Sequence, residues 1–310
     1  MKETMPVSDK FSLMFMANGQ WDAYRAGEVR GNGFTILPSA SMSLNTGFGN
    51  LSAQYTRRIQ RPSVDYLNPE IYYIDEYRKT QGNPDLRPQH TDHVNLGYTA
   101  QVKTAIISLT AAYDHTEDLI APVYGIDQTL ALYQNAGRSE KWSFNVGWYQ
   151  PLFDNKILLN ANVGVSRINI ALTPEAKSPY GLGNSGWVAT YSLNVNYVPT
   201  SDWFVNLSSF YSGKIYDLNT TTTRYPITSL SVEKTFLDGK WKVALGYTDL
   251  FKIGSRTSVD YRFSNMNQTA HLNMSDLSRV SLSVTYSFGK MFRMGTVGAA
   301  ISNDDITTRR

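Results

Sequence analysis

The side chains best equipped for chemistry in this 310-residue chain are its four histidines and a scatter of carboxylates. "HTDH" brings His90, Asp92 and His93 within four positions. In an extended strand, alternate side chains point to opposite faces, so His93 points away from His90 and Asp92. That is a poor ligand set, and the segment reads as a polar rim where a loop enters a strand, with no metal site. "YDHTED" places Asp114, His115, Glu117 and Asp118 near the outer end of another strand. Acyl transfer would need a serine aimed at the histidine, and no motif supplies one, so no catalytic residue is assigned. The chain has no cysteine, which excludes disulfides, thiolate metal sites and cysteine nucleophiles. "GFGN" and "GLGNSG" lack the strand–loop–helix context of a phosphate site and read as turns, and no cofactor is expected.

Binding is the chemistry that remains. Residues 61–88 form a long insertion in which Tyr66, Tyr72, Tyr73 and Tyr77 mix with Asp75, Glu76 and Arg78. Amphipathic aromatics beside charges are the composition of contact surfaces. The candidate ligand contacts are Tyr72, Tyr73, Asp75, Glu76, Tyr77 and Arg78. A structural reading fits the ends of the insertion better, where Pro62, Pro69, Pro84 and Pro88 stiffen the chain. Just before it, Arg57 follows the phase of Leu51, Ala53 and Tyr55, whereas Arg58 follows Ser52, Gln54 and Thr56. Arg58 is therefore the candidate for charge pairing on the polar side, more than for substrate contact.

The elements that must position these residues have a period of two. In "SRVSLSVTYSF", Val280, Leu282, Val284, Tyr286 and Phe288 share one face, and Arg279, Ser281, Ser283, Thr285 and Ser287 share the other. The same alternation predicts twelve strands: 10–25, 33–45, 50–60, 89–101, 105–123, 129–150, 156–170, 185–198, 203–213, 224–236, 241–251 and 278–288. Short turns rich in Gly, Pro, Asp and Asn alternate with long loops at 61–88, 171–184 and 252–277. The connection at 124–128 is short, between two unusually long strands.

Charged residues make up 18% of the chain, against roughly 25% in soluble domains. The net charge of +3 gives no case for nucleic acid. No apolar run is long enough for a membrane helix, and the first residues lack a signal-peptide core. The chain is thus either intracellular or a mature piece or fragment of something exported. Three features favour a transmembrane barrel over a soluble sandwich. The polar faces carry Ser, Thr, Asn and Gly, not Lys and Glu. Aromatics such as Trp142, Trp148, Trp187, Tyr197, Trp241 and Tyr247 end the apolar stripes. Turns are short on one side and long on the other. Closure is needed because every backbone amide in lipid must be paired. An even strand count puts both chain ends on the periplasmic side, and residues 289–310 read as a flexible periplasmic tail.

"YTRRIQRPSVDYLNP" followed by "QGNPDLRPQHTDHVNLGY" resembles the signature of the outer-membrane β-barrel family of TonB-dependent receptors common in Bacteroidetes. "SASMSLNTGFGNLSAQYTRRI", "LDGKWKVALGYTDLF" and "SRVSLSVTYSFGK" fit its strands in the same order. The resemblance implies an all-β, 22-stranded barrel with an N-terminal plug, lodged in the outer membrane of a Gram-negative bacterium. Only about twelve strands and no plug are legible, so residues 1–288 are expected to be the C-terminal part of a larger barrel. Its implied partners are outer-membrane lipid, the missing plug and strands, the TonB complex acting through the plug, the barrel assembly machinery and an unidentified nutrient. Tyr286 and Phe288 lie in the aromatic-ended segment that resembles the assembly signal. The resemblance implies transport and no enzyme. The alternative is a self-contained twelve-stranded porin or a phospholipase-like enzyme with a lipid-facing Ser and His, for which His115 has the outward phase.

Overall fold

The computed structural model describes residues 2–8, 10–26, 29–74, 76, 79–124, 130–177, 183–262, 267–273 and 277–288. Its strands are β1 (Lys2–Ser8), β2 (Phe11–Ala26), β3 (Val29–Asn45), β4 (Asn50–Gln60), β5 (Ile71–Tyr73), β6 (Lys79–Gln81), β7 (Gln89–Val102), β8 (Ala105–Tyr124), β9 (Leu130–Leu152) and β10 (Ile157–Leu172). They continue as β11 (Asn184–Tyr197), β12 (Trp203–Tyr211), β13 (Lys214–Tyr216), β14 (Thr220–Arg224), β15 (Ile227–Phe236), β16 (Trp241–Thr248), β17 (Arg256–Arg262), β18 (Asn267–Asn273) and β19 (Arg279–Tyr286). One short helix, α1 (Val64–Leu67), completes the set.

The main sheet runs β1-β2-β3-β4-β7-β8-β9-β10-β11-β12-β15-β16-β19, every neighbour antiparallel. All twelve predicted strands are present. A thirteenth, β1, lies outside that prediction and pairs with β2 across the short turn before Phe11. Among the described residues β1 and β19 do not pair with each other, so the sheet is a barrel wall with two open edges. The predicted loop 252–277 contains β17 and β18, which join β13 and β14 in a separate four-stranded sheet. The predicted tail, 289–310, lies outside the described residues.

Two of the short turns share one design. Asp154 and Asn155 have φ of 53° and 67°, and Asp238 and Gly239 have φ of 53° and 91°. Lys156 N–H donates to Phe153 O at 3.1 Å, and Lys240 N–H donates to Leu237 O at 3.2 Å. Left-handed residues at both centres match the twist of a tight hairpin, and Asp, Asn and Gly tolerate that conformation best.

Register fixes the two faces. Leu109, Val146 and Val163 lie side by side on β8, β9 and β10, and Val146 and Val163 are 50% and 62% exposed. Val280 and Leu282 on β19 are more exposed still. On the opposite face Thr110, Asn145, Gly164 and Thr190 form one row, and Ser108, Gly147, Asn162 and Ser192 another. Gly147 and Gly164 leave room there for neighbouring side chains: an added Cβ would push aside the ends of Ser108 and Asn162, or of Asn145 and Thr190. Among the described residues nothing covers this apolar row. The hydroxyl and amide face instead has an internal hydrogen-bond lattice, for example Ser166 Oγ to Ser143 Oγ at 3.0 Å. This is the polarity of a sheet solvated by lipid outside and lined by water or protein inside. Among the described residues no helix is long and apolar enough to cross a membrane; the strands do so.

Candidate functional site at the outer rim

On the long-loop side β8 and β9 extend well beyond their neighbours, as 20- and 23-residue strands. Two bulge positions, between Thr116 and Ile120, shift the register of this extension. Above them alternate residues enter two different cores. Ile120 and Tyr133 pack with Leu67, Leu86 and Tyr66, while Ala121, Val123 and Ala136 pack with Ile170, Leu172, Ala176 and Leu218. Both faces of the hairpin are therefore covered, one by residues 61–88 and the other by the loops after β10 and β13.

The insertion 61–88 is anchored at its ends. Tyr66 stacks on Tyr133 with ring centroids 4.0 Å apart. Leu67 and Leu86 are 2% and 5% exposed, and burying each contributes about 1.5–3 kcal/mol relative to leaving it in water. The "GNPDLRP" end is held by a series of specific contacts. Gly82 N–H donates to Asn68 O at 3.0 Å and Asn83 N–H to Tyr66 O at 2.6 Å. A Cβ on Gly82 would strike the Asn68 and Tyr66 carbonyls. Asn83 Oδ1 accepts the Asp85 N–H at 2.9 Å. Arg87 donates to Asp118 Oδ1 at 2.6 Å, and Asn135 holds both backbone groups of Arg87.

The middle of the insertion stands proud of this anchor. β5 pairs β6, and β6 adds in parallel to β9 at Lys79–Leu130, Thr80–Ala131 and Gln81–Leu132. Ile71, Tyr72, Tyr73 and Ile74 are all exposed, Tyr73 by 70%. Tyr72 Oη accepts from Asn68 Nδ2 at 2.6 Å, and the Lys79 ammonium lies 5.2 Å from the Tyr73 ring. Glu76 is exposed; the other three candidates, Asp75, Tyr77 and Arg78, lie outside the described residues. The tip is a small apolar–aromatic knuckle with polar edges.

The predicted charged residues fall on two faces. Arg58 lies on the polar face with Thr91 and Thr116, its guanidinium 3.9 Å from Asp114 Oδ1. That same oxygen is 2.7 Å from His93 Nδ1. On the apolar face Arg57 Nε is 3.8 Å from Asp92, which also accepts from Tyr55 Oη at 2.7 Å. His115 stands between Glu117 at 3.4 Å and Glu140 at 4.0 Å. The register places His93 opposite in direction to His90 and Asp92, and among the described residues no group could hold a metal ion. His115 faces outward, but its partners are carboxylates, and the serines at 139 and 143 belong to the polar face. The sequence carries no sign of Asn135, Tyr133 or Asn184 as organising residues. Asn184 Nδ2 donates to Asp217 O, Thr220 O and Thr221 Oγ1, tying the second sheet to the top of β11.

A wall of antiparallel strands, apolar outside and hydroxyl-lined inside, with its loops built into a rim, defines an outer-membrane barrel. The chain belongs to the outer membrane protein beta-barrel family, whose model matches residues 20–286. It is an outer-membrane protein by that membership. Among solved structures it resembles the siderophore receptor PirA from Pseudomonas aeruginosa, at 14% identity and TM-score 0.57, over 87% of this chain and 45% of that one. It also resembles a mutant of the ferric enterobactin receptor PfeA from Pseudomonas aeruginosa, at 15% identity and TM-score 0.61, over 93% and 44%. The FrpB iron transporter from Neisseria meningitidis aligns at 12% identity and TM-score 0.61, over 93% and 44%. The chain thus spans less than half the length of these receptors. No curated protein matches it.

Proposed function

We propose that this chain is part of the barrel wall of a TonB-dependent outer-membrane receptor of the Bacteroidetes type, which actively imports a nutrient such as a siderophore or glycan. The observation that carries this reading is the open, two-faced wall. Its thirteen strands end in edges without partners among the described residues, and it spans less than half the length of each receptor chain it resembles. In lipid those edges need further strands, and on this reading a plug fills the lined interior. On this reading residues 1–288 supply wall and gate and do no covalent chemistry. TonB acts through the plug, the assembly machinery reads the end containing Tyr286 and Phe288, and Arg58 pairs with charge inside the lumen. Ligand contact falls to Tyr72, Tyr73, Asp75, Glu76, Tyr77 and Arg78.

The test is deletion of the coding region, followed by growth with iron chelates, oligosaccharides, cobalamin or peptides as the limiting nutrient. Loss of growth on one of these, reproduced in the wild type by an uncoupler, is the expected result. Uptake that scales with concentration and ignores the uncoupler would point instead to a passive porin.

A further inference from the structure

The outward face of the wall changes character toward its long-loop end. Its last aromatic row there runs through Tyr55, Tyr113, Trp142 and Trp187, which the register aligns across β4 to β11. Trp142 and Trp187 are exposed, as rings at a lipid–water interface are. One step further out, Arg57, Asp92, His115 and Glu140 lie side by side on β4, β7, β8 and β9. Arg138 follows Glu140 on the same face of β9. What covers this row is set by the membrane: outward-facing side chains just above an aromatic girdle lie among the headgroups of the outer leaflet.

The charges in this row approach one another without closing. Arg57 Nε stops 3.8 Å from Asp92 Oδ1, and Arg138 Nε stops 3.9 Å from Glu140 Oε1. By contrast, Arg87 in the insertion closes on Asp118 at 2.6 Å. A guanidinium carries five donors, and at the longer distances neither arginine gives one to its carboxylate. Asp92 Oδ1 accepts from Tyr55 Oη instead, at 2.7 Å. Asp92, Glu117 and Glu140 balance Arg57, Arg138 and Arg167, so the row exerts little long-range pull on anions and selects by fit at contact. Arg167 is engaged elsewhere, with Ser185 Oγ and the Trp187 ring.

Phosphate is the lipid group that a guanidinium fork fits best, through paired N–H bonds. The strands of Arg57 and Arg138 are separated by β7 and β8, a lateral distance of roughly 14 Å at ordinary strand spacing. That span suits a headgroup with phosphates at two ends, such as a phosphorylated disaccharide, better than one with a single phosphate. We propose that Arg57 and Arg138 form a binding site for a phosphorylated glycolipid of the outer leaflet, with Asp92 and Glu140 holding the two guanidiniums in place. The site requires an outer-membrane wall but not transport, so it stands or falls apart from the receptor reading.

The test uses the complete protein, extracted from its native membrane in mild detergent and stripped of lipid. It is titrated with a diphosphorylated, acylated glucosamine disaccharide, and bound lipid is counted by native mass spectrometry. Three comparisons decide: the same lipid with its phosphates removed, the variant Arg57→Gln/Arg138→Gln, and the variant Arg58→Gln, whose side chain is on the opposite face. The expected result is saturable binding by the wild type and by Arg58→Gln, weakened about tenfold or more by dephosphorylation or by the double change. The dephosphorylated lipid decides on the wild type alone, even where the double variant fails to assemble. Equal binding of the two lipids, unchanged binding by the double variant, or an equal loss in Arg58→Gln overturns the proposal. Inorganic phosphate that displaces the lipid completely at equal concentration would make this a site for a free anion, and so contradict it.

Discussion

Asn135 grips Arg87 by both of its backbone groups: Arg87 N–H donates to Asn135 Oδ1 at 2.9 Å, and Asn135 Nδ2 donates to Arg87 O at 2.8 Å. The same amide reaches Asp118 O at 2.9 Å. One side chain on β9 thereby fixes the end of the insertion and the bulge of β8. Asn135→Ala should cost about 1–3 kcal/mol locally, because it leaves carbonyls and an amide without partners. The measurable outcome is faster proteolytic nicking within 61–88 on intact cells, with the barrel still heat-modifiable.

Gly82→Ala should loosen the same insertion, since the added methyl meets the Asn68 and Tyr66 backbone carbonyls, which already accept the Gly82 and Asn83 N–H groups. Gly33→Ala is the control, because nothing lies within 4 Å of a Cβ there. Hydrogen exchange across 64–70 should rise in the first variant and stay unchanged in the second.

The apolar face predicts an asymmetry between neighbouring strands. Val146→Arg places a charge between Leu109 and Val163 and should cost about 2–4 kcal/mol if that row is near the bilayer centre. Asn160→Lys, on the polar face of β10, should be tolerated. Urea unfolding in lipid vesicles, read by gel mobility, checks both.

Asp249 is fully buried, and its carboxylate accepts N–H bonds from Ile253 and Gly254. Asp249→Ala should destabilise the turn after β16 by about 1–3 kcal/mol. The readout is increased protease access at 250–256, with the membrane sheet intact.

The tip of the insertion makes a contrasting prediction. Tyr72→Ala/Tyr73→Ala should leave assembly unchanged, because both rings are exposed, and should weaken ligand binding about tenfold or more, as loss of two interface aromatics does. Binding to whole cells of whichever nutrient the growth test identifies is the measurement.

The membrane strands are legible in the sequence because one side of each must be apolar along its whole membrane length, which writes a period of two into the chain. β1 escapes this reading because in "KETMPVS" only Met5 and Val7 keep an apolar phase, which Glu3 breaks. The small sheet escapes it for a related reason. Outside the membrane neither face of "TTTTR" or "NQTAHLN" needs to be apolar, so β14 and β18 look like loop. The faces of Arg57, Arg58, His93 and His115 follow from phase alone. What phase does not carry is long-range pairing. Nothing local distinguishes Asn135 from any other strand asparagine, and the stacking of Tyr66 on Tyr133 depends on two segments 67 residues apart by their numbering.

The central claim is that adjacent residues of one strand face lipid and lumen. The lack of any cysteine in the sequence makes it directly measurable. Val163→Cys and Asn162→Cys, each labelled with bimane and reconstituted into vesicles of brominated lipid, should separate cleanly. Bimane at position 163 is expected to be strongly quenched, while bimane at position 162 stays bright. Before labelling, only the thiol introduced at position 162 should react with a water-soluble maleimide. Equal quenching at the two positions, or equal reactivity toward the maleimide, would contradict the account.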